Sequence, residues 1–64
     1  MNTNHWQPLH LKIVRCSDSQ MWYSDKIGQY VPFLGYIESD YKSREPAGYV
    51  NIVRRSDAVL EEIK

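Results

Sequence analysis

From Leu9 onward, apolar and polar residues alternate. Leu9, Leu11 and Ile13 fall on one side of an extended chain, and His10, Lys12 and Val14 on the other. A period of two is that of a half-buried β-strand. The strand is predicted to end near "CSDSQ", where Ser17, Asp18 and Ser19 offer side-chain oxygens to turning backbone. A long connection, "SDSQMWYSDKIG", follows, and its Gly28 suits a position of positive φ. In "QYVPFLGYIESD", Val31, Phe33 and Ile37 share one face while Tyr30, Leu34 and Tyr36 share the other. Pro32 cannot donate to a ladder, so this strand belongs at an edge or begins after an irregularity. Gly35 marks a bulge where the strand bends. The charged stretch "DYKSREPAG" reads as a turn region. "YVNIVRR" returns to strand, with Val50 and Ile52 on one side and Tyr49, Asn51 and Val53 on the other. In "SDAVLEEIK", Ser56 resembles a helix cap but lacks a glutamate three residues on. So short a helix is marginal, and a tight turn through Asp57 and Ala58 into a strand over residues 59–63 is preferred.

Short strands separated by turn signals predict an all-β fold. A long first loop followed by shorter turns fits an SH3-like antiparallel barrel of four to five short strands. It is expected to occupy residues 9–64 as a single domain behind a flexible polar segment, residues 1–8.

The 64 residues allow one domain at most. A domain of this size buries only about 60% of its unfolded surface, which leaves little room for a deep pocket. Eight basic and eight acidic residues cancel. Dedicated nucleic-acid binders carry a positive surplus, so the balance counts against that class without removing it. Cys16 is the single cysteine and cannot form an intramolecular disulfide. With no apolar leader and no run of roughly 18 apolar residues, the expectation is a cytoplasmic protein without a membrane span.

The matching residues Lys12, Ile13, Val14, Cys16, Trp22, Tyr23, Ile27 and Gly28 form a pattern K-I-V-x-C … W-Y … I-G. This pattern resembles that of small phage- or prophage-encoded proteins, best over about residues 11–37. The resemblance implies an SH3-like barrel and a phage origin, with the host cytoplasm as its location. It implies no activity.

Catalytic and metal-binding patterns are absent from the sequence. His5, His10, Cys16 and Asp18 are ligand types, but their spacings match no zinc motif. Cys16 and the two histidines carry no mark of an activated pair. Glu38 with Asp40, and Glu61 with Glu62, read as solvated charge runs, and no glycine-rich phosphate loop occurs. The chain is therefore expected to be no enzyme and to need no cofactor. Binding remains. Trp, Tyr and Arg are the residue types most often found at binding hot spots, and the chain has two tryptophans and five tyrosines. The expected partner is a protein, in a phage setting a host protein. The expected contacts are Trp22, Tyr23, Tyr36 and Tyr41 with Arg44, Arg54 and Arg55. Neighbours in an extended segment point to opposite sides, so one of Trp22 and Tyr23 belongs in the core. The larger apolar area favours Trp22 inside and Tyr23 outside. The alternative is a nucleic-acid-binding barrel that uses Lys42, Arg44, Arg54 and Arg55, with nearby tyrosines stacking on bases. Against that alternative, the same cations have the acidic neighbours Glu38, Asp40, Glu45 and Asp57.

Overall fold

The first strand, β1 (Leu9–Ile13), is paired on both sides in a computed structural model that describes residues 9–62. The segment 1–8, expected to be flexible, lies outside the described residues, as does the end of the predicted last strand. One neighbour of β1 is β2 (Tyr30–Pro32), with Leu11 opposite Val31. The other is β6 (Ala58–Glu62), with Leu11 opposite Leu60. Both pairings are antiparallel. The alternation sends Leu11 and Ile13 into the core, where both are fully buried, and leaves Lys12 on the outer face.

A second antiparallel sheet holds β3 (Gly35–Ile37), β4 (Asp40–Arg44) and β5 (Val50–Val53) in that order. One run of chain serves both sheets, since only Phe33 and Leu34 separate β2 from β3. Gly35 sits where the chain changes sheets, at φ +128°. A Cβ there would meet nothing within 4 Å, so the demand for glycine is conformational rather than steric. The Ser43 hydroxyl donates to the Pro32 carbonyl at 2.7 Å and the Leu34 amide to the Lys42 carbonyl at 2.8 Å, joining the two sheets at this corner. A 3₁₀ turn, Arg55–Asp57, carries the chain from β5 back to β6. The result is all-β as the strand pattern predicts, two three-stranded antiparallel sheets that form a small barrel-like domain, with six strands where four to five were expected and Pro32 on the edge strand β2. The turn followed by a strand also replaces a helix at the carboxyl end.

One strand lies where a turn was expected. The stretch read as a turn, "DYKSREPAG", contains β4, the central strand of the second sheet. Tyr41 and Ser43 point inward and are buried, while Asp40, Lys42 and Arg44 alternate outward. The period of two was present, but its inward set includes a serine and its outward set is all charged. Ser43 tolerates burial because the Pro32 carbonyl accepts its hydrogen bond. Only the remainder, from Glu45 to Gly48, is a turn, closed by the Gly48 amide on the Glu45 carbonyl at 2.8 Å and, with the following residue, by the Glu45 amide on the Tyr49 carbonyl at 2.8 Å.

The long loop between β1 and β2 is tied at both ends. Ile13 donates to the Gln29 carbonyl at 2.9 Å, and Gly28 donates to the Ile13 carbonyl at 2.7 Å. Gly28 stands at φ +89°, as the return toward β2 requires. Inside the loop, successive tight turns carry Met21, Trp22 and Tyr23 against the core formed by Leu11, Ile13, Val31, Tyr41, Val53 and Ala58.

Asp57 locks this loop to the opposite end of the chain. It is fully buried. Its Oδ2 accepts from the Tyr23 hydroxyl at 2.6 Å, the Ser17 hydroxyl at 3.1 Å and the Ser17 amide at 3.2 Å. Its backbone carbonyl accepts the amides of Val14 at 2.9 Å and Arg15 at 3.3 Å. The Arg15 Nε lies 3.8 Å from Oδ1. Burial pushes the Asp57 carboxyl toward higher pKa, but the hydrogen bonds from Tyr23 and Ser17, with Arg15 nearby, outweigh it and hold the group below its ordinary value. Burial and the same bond to Asp57 push the Tyr23 hydroxyl upward, so it remains a proton donor.

The linkage follows from these directions. A depressed carboxyl stabilises the fold above its unfolded pKa of about 3.9 and loses that contribution as pH falls through the folded value. A raised tyrosine stabilises the fold below about pH 10 and loses that contribution at more alkaline pH. Urea unfolding across pH is expected to show stability dropping below about pH 4 and above about pH 10, with the acid limb flattened in Asp57→Asn. Tyr23→Phe is expected to cost about 1.5–3 kcal/mol, the range for a hydrogen bond to a charged group. A Tyr23→Phe variant as stable as the parent would show that the buried pair contributes nothing.

Candidate functional site

The aromatic pair in the long loop divides between inside and outside in the sense opposite to that expected from ring area. Tyr23 is the fully buried ring, and Trp22 is half-buried beside it, edge-on at 5.5 Å between centroids. The deciding factor is hydrogen bonding. The Tyr23 hydroxyl reaches Asp57 and also accepts the Arg54 amide at 3.2 Å, so its polar end is satisfied in the interior. The Trp22 Nε1–H donates to the Ile52 carbonyl at 2.7 Å. With the Asn51 Oδ1 accepting from the Ile52 amide at 2.8 Å, this bond occupies polar backbone of β5, an edge strand of its sheet. Tyr23 is thereby removed from the contact set, and Trp22 serves to close a sheet edge.

At the far side of the second sheet, β3 is the other edge strand, and Tyr36 and Ile37 in it, with Leu34 just before it, are exposed apolar residues. Tyr36 pairs in register with Tyr41. Their rings lie 5.8 Å apart, and Phe33 packs edge-on against both, at 5.3 Å from Tyr36 and 6.1 Å from Tyr41. Tyr41 is 8% exposed, so its expected role as a contact gives way to one as the inner wall of this cluster; Tyr36 is 57% exposed. Over both rings lies the Arg55 guanidinium, 5.2 Å from the Tyr36 centroid and 5.0 Å from that of Tyr41. Such a contact is worth about 0.5–1 kcal/mol at an exposed site.

A groove runs beside this stack, lined by Ser39, Asp40, Ile52, Arg54, Arg55 and Ser56. The two-residue β3–β4 turn forms one wall and the 3₁₀ turn the other. The two walls are joined by the Arg55 amide, which donates to the Asp40 Oδ1 at 3.3 Å. Glu38, in the β3–β4 turn, is held at φ +53°. A left-handed conformation costs a residue with a Cβ about 1–2 kcal/mol, so the turn is held against its local preference.

The chain matches no family model, and neither a curated protein nor a solved structure is significantly similar to it. The site must therefore be read from its geometry.

Of the residues expected to meet a partner, Tyr36, Arg54 and Arg55 are exposed; Arg55 lies over Tyr36 and the buried Tyr41, and it also lines the groove together with Arg54. Arg44 is elsewhere, at the opposite end of β4, where its Nη1 donates to the Gly48 carbonyl at 2.8 Å and stiffens the hairpin. Lys42 lies opposite Ile52 on the outer face of the sheet. The expected acidic neighbours bind backbone or polar side chains instead of these cations: Asp40 takes the Arg55 amide, Glu45 takes the Asn51 amide group at 2.7 Å, and Asp57 faces Tyr23, Ser17 and Arg15. Ile52, which lines the groove, was legible only as a strand residue. The Asp57 carboxylate gave no sequence signal beyond that of a turn residue.

Among the described residues, no three ligand-type side chains converge as a metal site. Cys16 Sγ donates to the Asp18 carbonyl at 3.0 Å, and His5 lies outside the described residues. No helix among them is long and apolar enough to cross a membrane.

Trp22→Phe removes the indole N–H together with part of the ring's packing. It is expected to lower stability by about 1 kcal/mol in urea unfolding while leaving the fold intact, the typical net worth of a hydrogen bond. An unchanged midpoint would mean that the Ile52 carbonyl finds an equivalent partner.

Proposed function

We propose that this protein is a non-catalytic protein-binding module whose contact face is the Tyr36–Arg55 stack and the groove beside it. The observation that carries the reading is the exposed Tyr36 ring held between Phe33, Tyr41 and the Arg55 guanidinium, on an edge strand that also exposes Ile37 and is preceded by the exposed Leu34. Tyrosine and arginine held rigid before a partner arrives lose little side-chain freedom on binding. Asp57 and Tyr23, the buried groups whose titration is shifted, satisfy each other in the interior beneath the turn that carries Arg54 and Arg55, and neither lines the groove. Their shifts therefore stabilise the fold and give no support to acid–base chemistry at the surface.

In the setting that the K-I-V-x-C … W-Y … I-G resemblance suggests, the protein is phage-encoded and its partner is a host protein in the cytoplasm, modulated by having part of its surface occupied. The nucleic-acid alternative draws less support. Arg44 is engaged within its own hairpin and Asp40 stands in the groove, so the four cations do not form one continuous phosphate track.

Tyr36→Ala is expected to cost about 1 kcal/mol of stability or less and to abolish capture of the partner from host lysate. Lys12→Ala, on the outer face of the first sheet, is expected to leave capture unchanged. Equal capture by the Tyr36→Ala variant would sink this assignment of the face. Retention of an oligonucleotide at low salt, weakening steeply as salt rises, would favour the nucleic-acid reading.

A further inference from the structure

Within the groove, the arginines are arranged in a way that specifies the chemistry of what they meet. Neither Arg54 nor Arg55 forms an ion pair with a carboxylate among the described residues, where the ion pairs are Arg15–Asp57 and Lys26–Asp25. Arg55 is nonetheless fixed. Its guanidinium lies over the Tyr36 and Tyr41 rings, and its backbone amide is held by Asp40. An arginine held against aromatic faces keeps in-plane N–H donors at its edge, a fork that matches a carboxylate with two parallel hydrogen bonds. Arg54 enters the same groove from the preceding position, and its backbone amide is anchored on the buried Tyr23 hydroxyl. The serines at the rim, Ser39 and Ser56, add neutral hydrogen-bonding groups, and Ile52 adds a half-buried apolar patch.

Resting on the contact face proposed above, we infer that the groove takes an acidic peptide segment of the partner, one whose carboxylate meets the Arg55 fork while a neighbouring apolar side chain packs on Tyr36. The groove is lined by two arginines and one acidic residue, Asp40. That surplus suits one or two carboxylates. A nucleic-acid backbone presents a continuous row of phosphates and would meet Asp40 and the nearby Glu38 as it ran on.

The test uses the whole chain and immobilised degenerate peptides that mix Asp and Glu with Leu and Tyr, beside a matched set with Lys and Arg in place of the acids. The intact protein is expected to bind the acidic set and not the basic one. Arg55→Ala and Arg54→Ala are each expected to weaken binding of the best acidic peptide by about tenfold or more, the loss of one charge-assisted hydrogen bond. Arg55→Lys keeps the charge but not the fork, and is expected to fail to restore affinity. Arg44→Ala is expected to bind as the parent does. Urea unfolding of each variant separates lost binding from lost fold. No binding to the acidic set, or equal binding by Arg55→Ala, overturns the inference. So does full rescue by Arg55→Lys, which would reduce the site to simple charge. Tighter binding of a single-stranded oligonucleotide with the same arginine dependence overturns it in favour of nucleic acid. If Tyr36→Ala abolishes capture from lysate while the acidic peptides fail to bind, the contact face stands and only the acidic partner falls.

Discussion

A single buried carboxylate connects the parts of this barrel. Asp57 lies near the carboxyl end of the chain, yet its side chain and backbone carbonyl together hold Val14, Arg15, Ser17 and Tyr23, all in or beside the long first loop. Taking a charged group out of water is costly unless its hydrogen-bonding capacity is filled. Oδ2 is filled by three donors, whereas Oδ1 has only Arg15 near it, at ion-pair distance. The loop cannot leave without exposing Tyr23 and stripping Asp57 of its partners, so loop, 3₁₀ turn and last strand are expected to form and melt together. In a chain this short the apolar core is small, and one polar cluster, filled at Oδ2 and only charge-compensated at Oδ1, carries a correspondingly large share of what makes the fold unique.

This lock also sets the form of the surface. Because Tyr23 takes the interior position, Trp22 is left at the edge of β5, where its indole N–H closes a carbonyl that would otherwise invite another strand. The same Tyr23 hydroxyl anchors the Arg54 amide, and Asp57 ends the 3₁₀ turn that presents Arg54 and Arg55. The interior hydrogen bonds thus extend to within one residue of the exposed arginine that stacks on Tyr36. Internal stability and the geometry of the contact face share one set of residues.

Much of the architecture was legible because it depends on local rules. The alternation in "LHLKI" placed Leu11 and Ile13 inside, and Pro32 and Gly35 marked an edge and a change of direction through constraints intrinsic to those residues. The strand β4 escaped notice because alternation is read through hydropathy, and Ser43 counts as polar until the Pro32 carbonyl is known to face it. The order of Trp22 and Tyr23 was inverted for the same reason. Ring area favours burying tryptophan, but the deciding term was a hydroxyl that could reach a carboxylate 34 positions away.

The sequence by itself determined an all-β chain with a long first loop, tight later turns and a strand at its end, since each follows from side-chain period, proline, glycine and turn chemistry acting over a few residues. It also determined that aromatic and arginine side chains would outnumber the places a small core offers them. Only the tertiary structure decided which of them would meet at one face. Tyr36 and Tyr41 become neighbours through strand register, and Arg55 joins them because the chain returns through the 3₁₀ turn. Those contacts depend on pairing between distant segments, and no local rule along the chain encodes which distant partner a buried hydrogen bond will find.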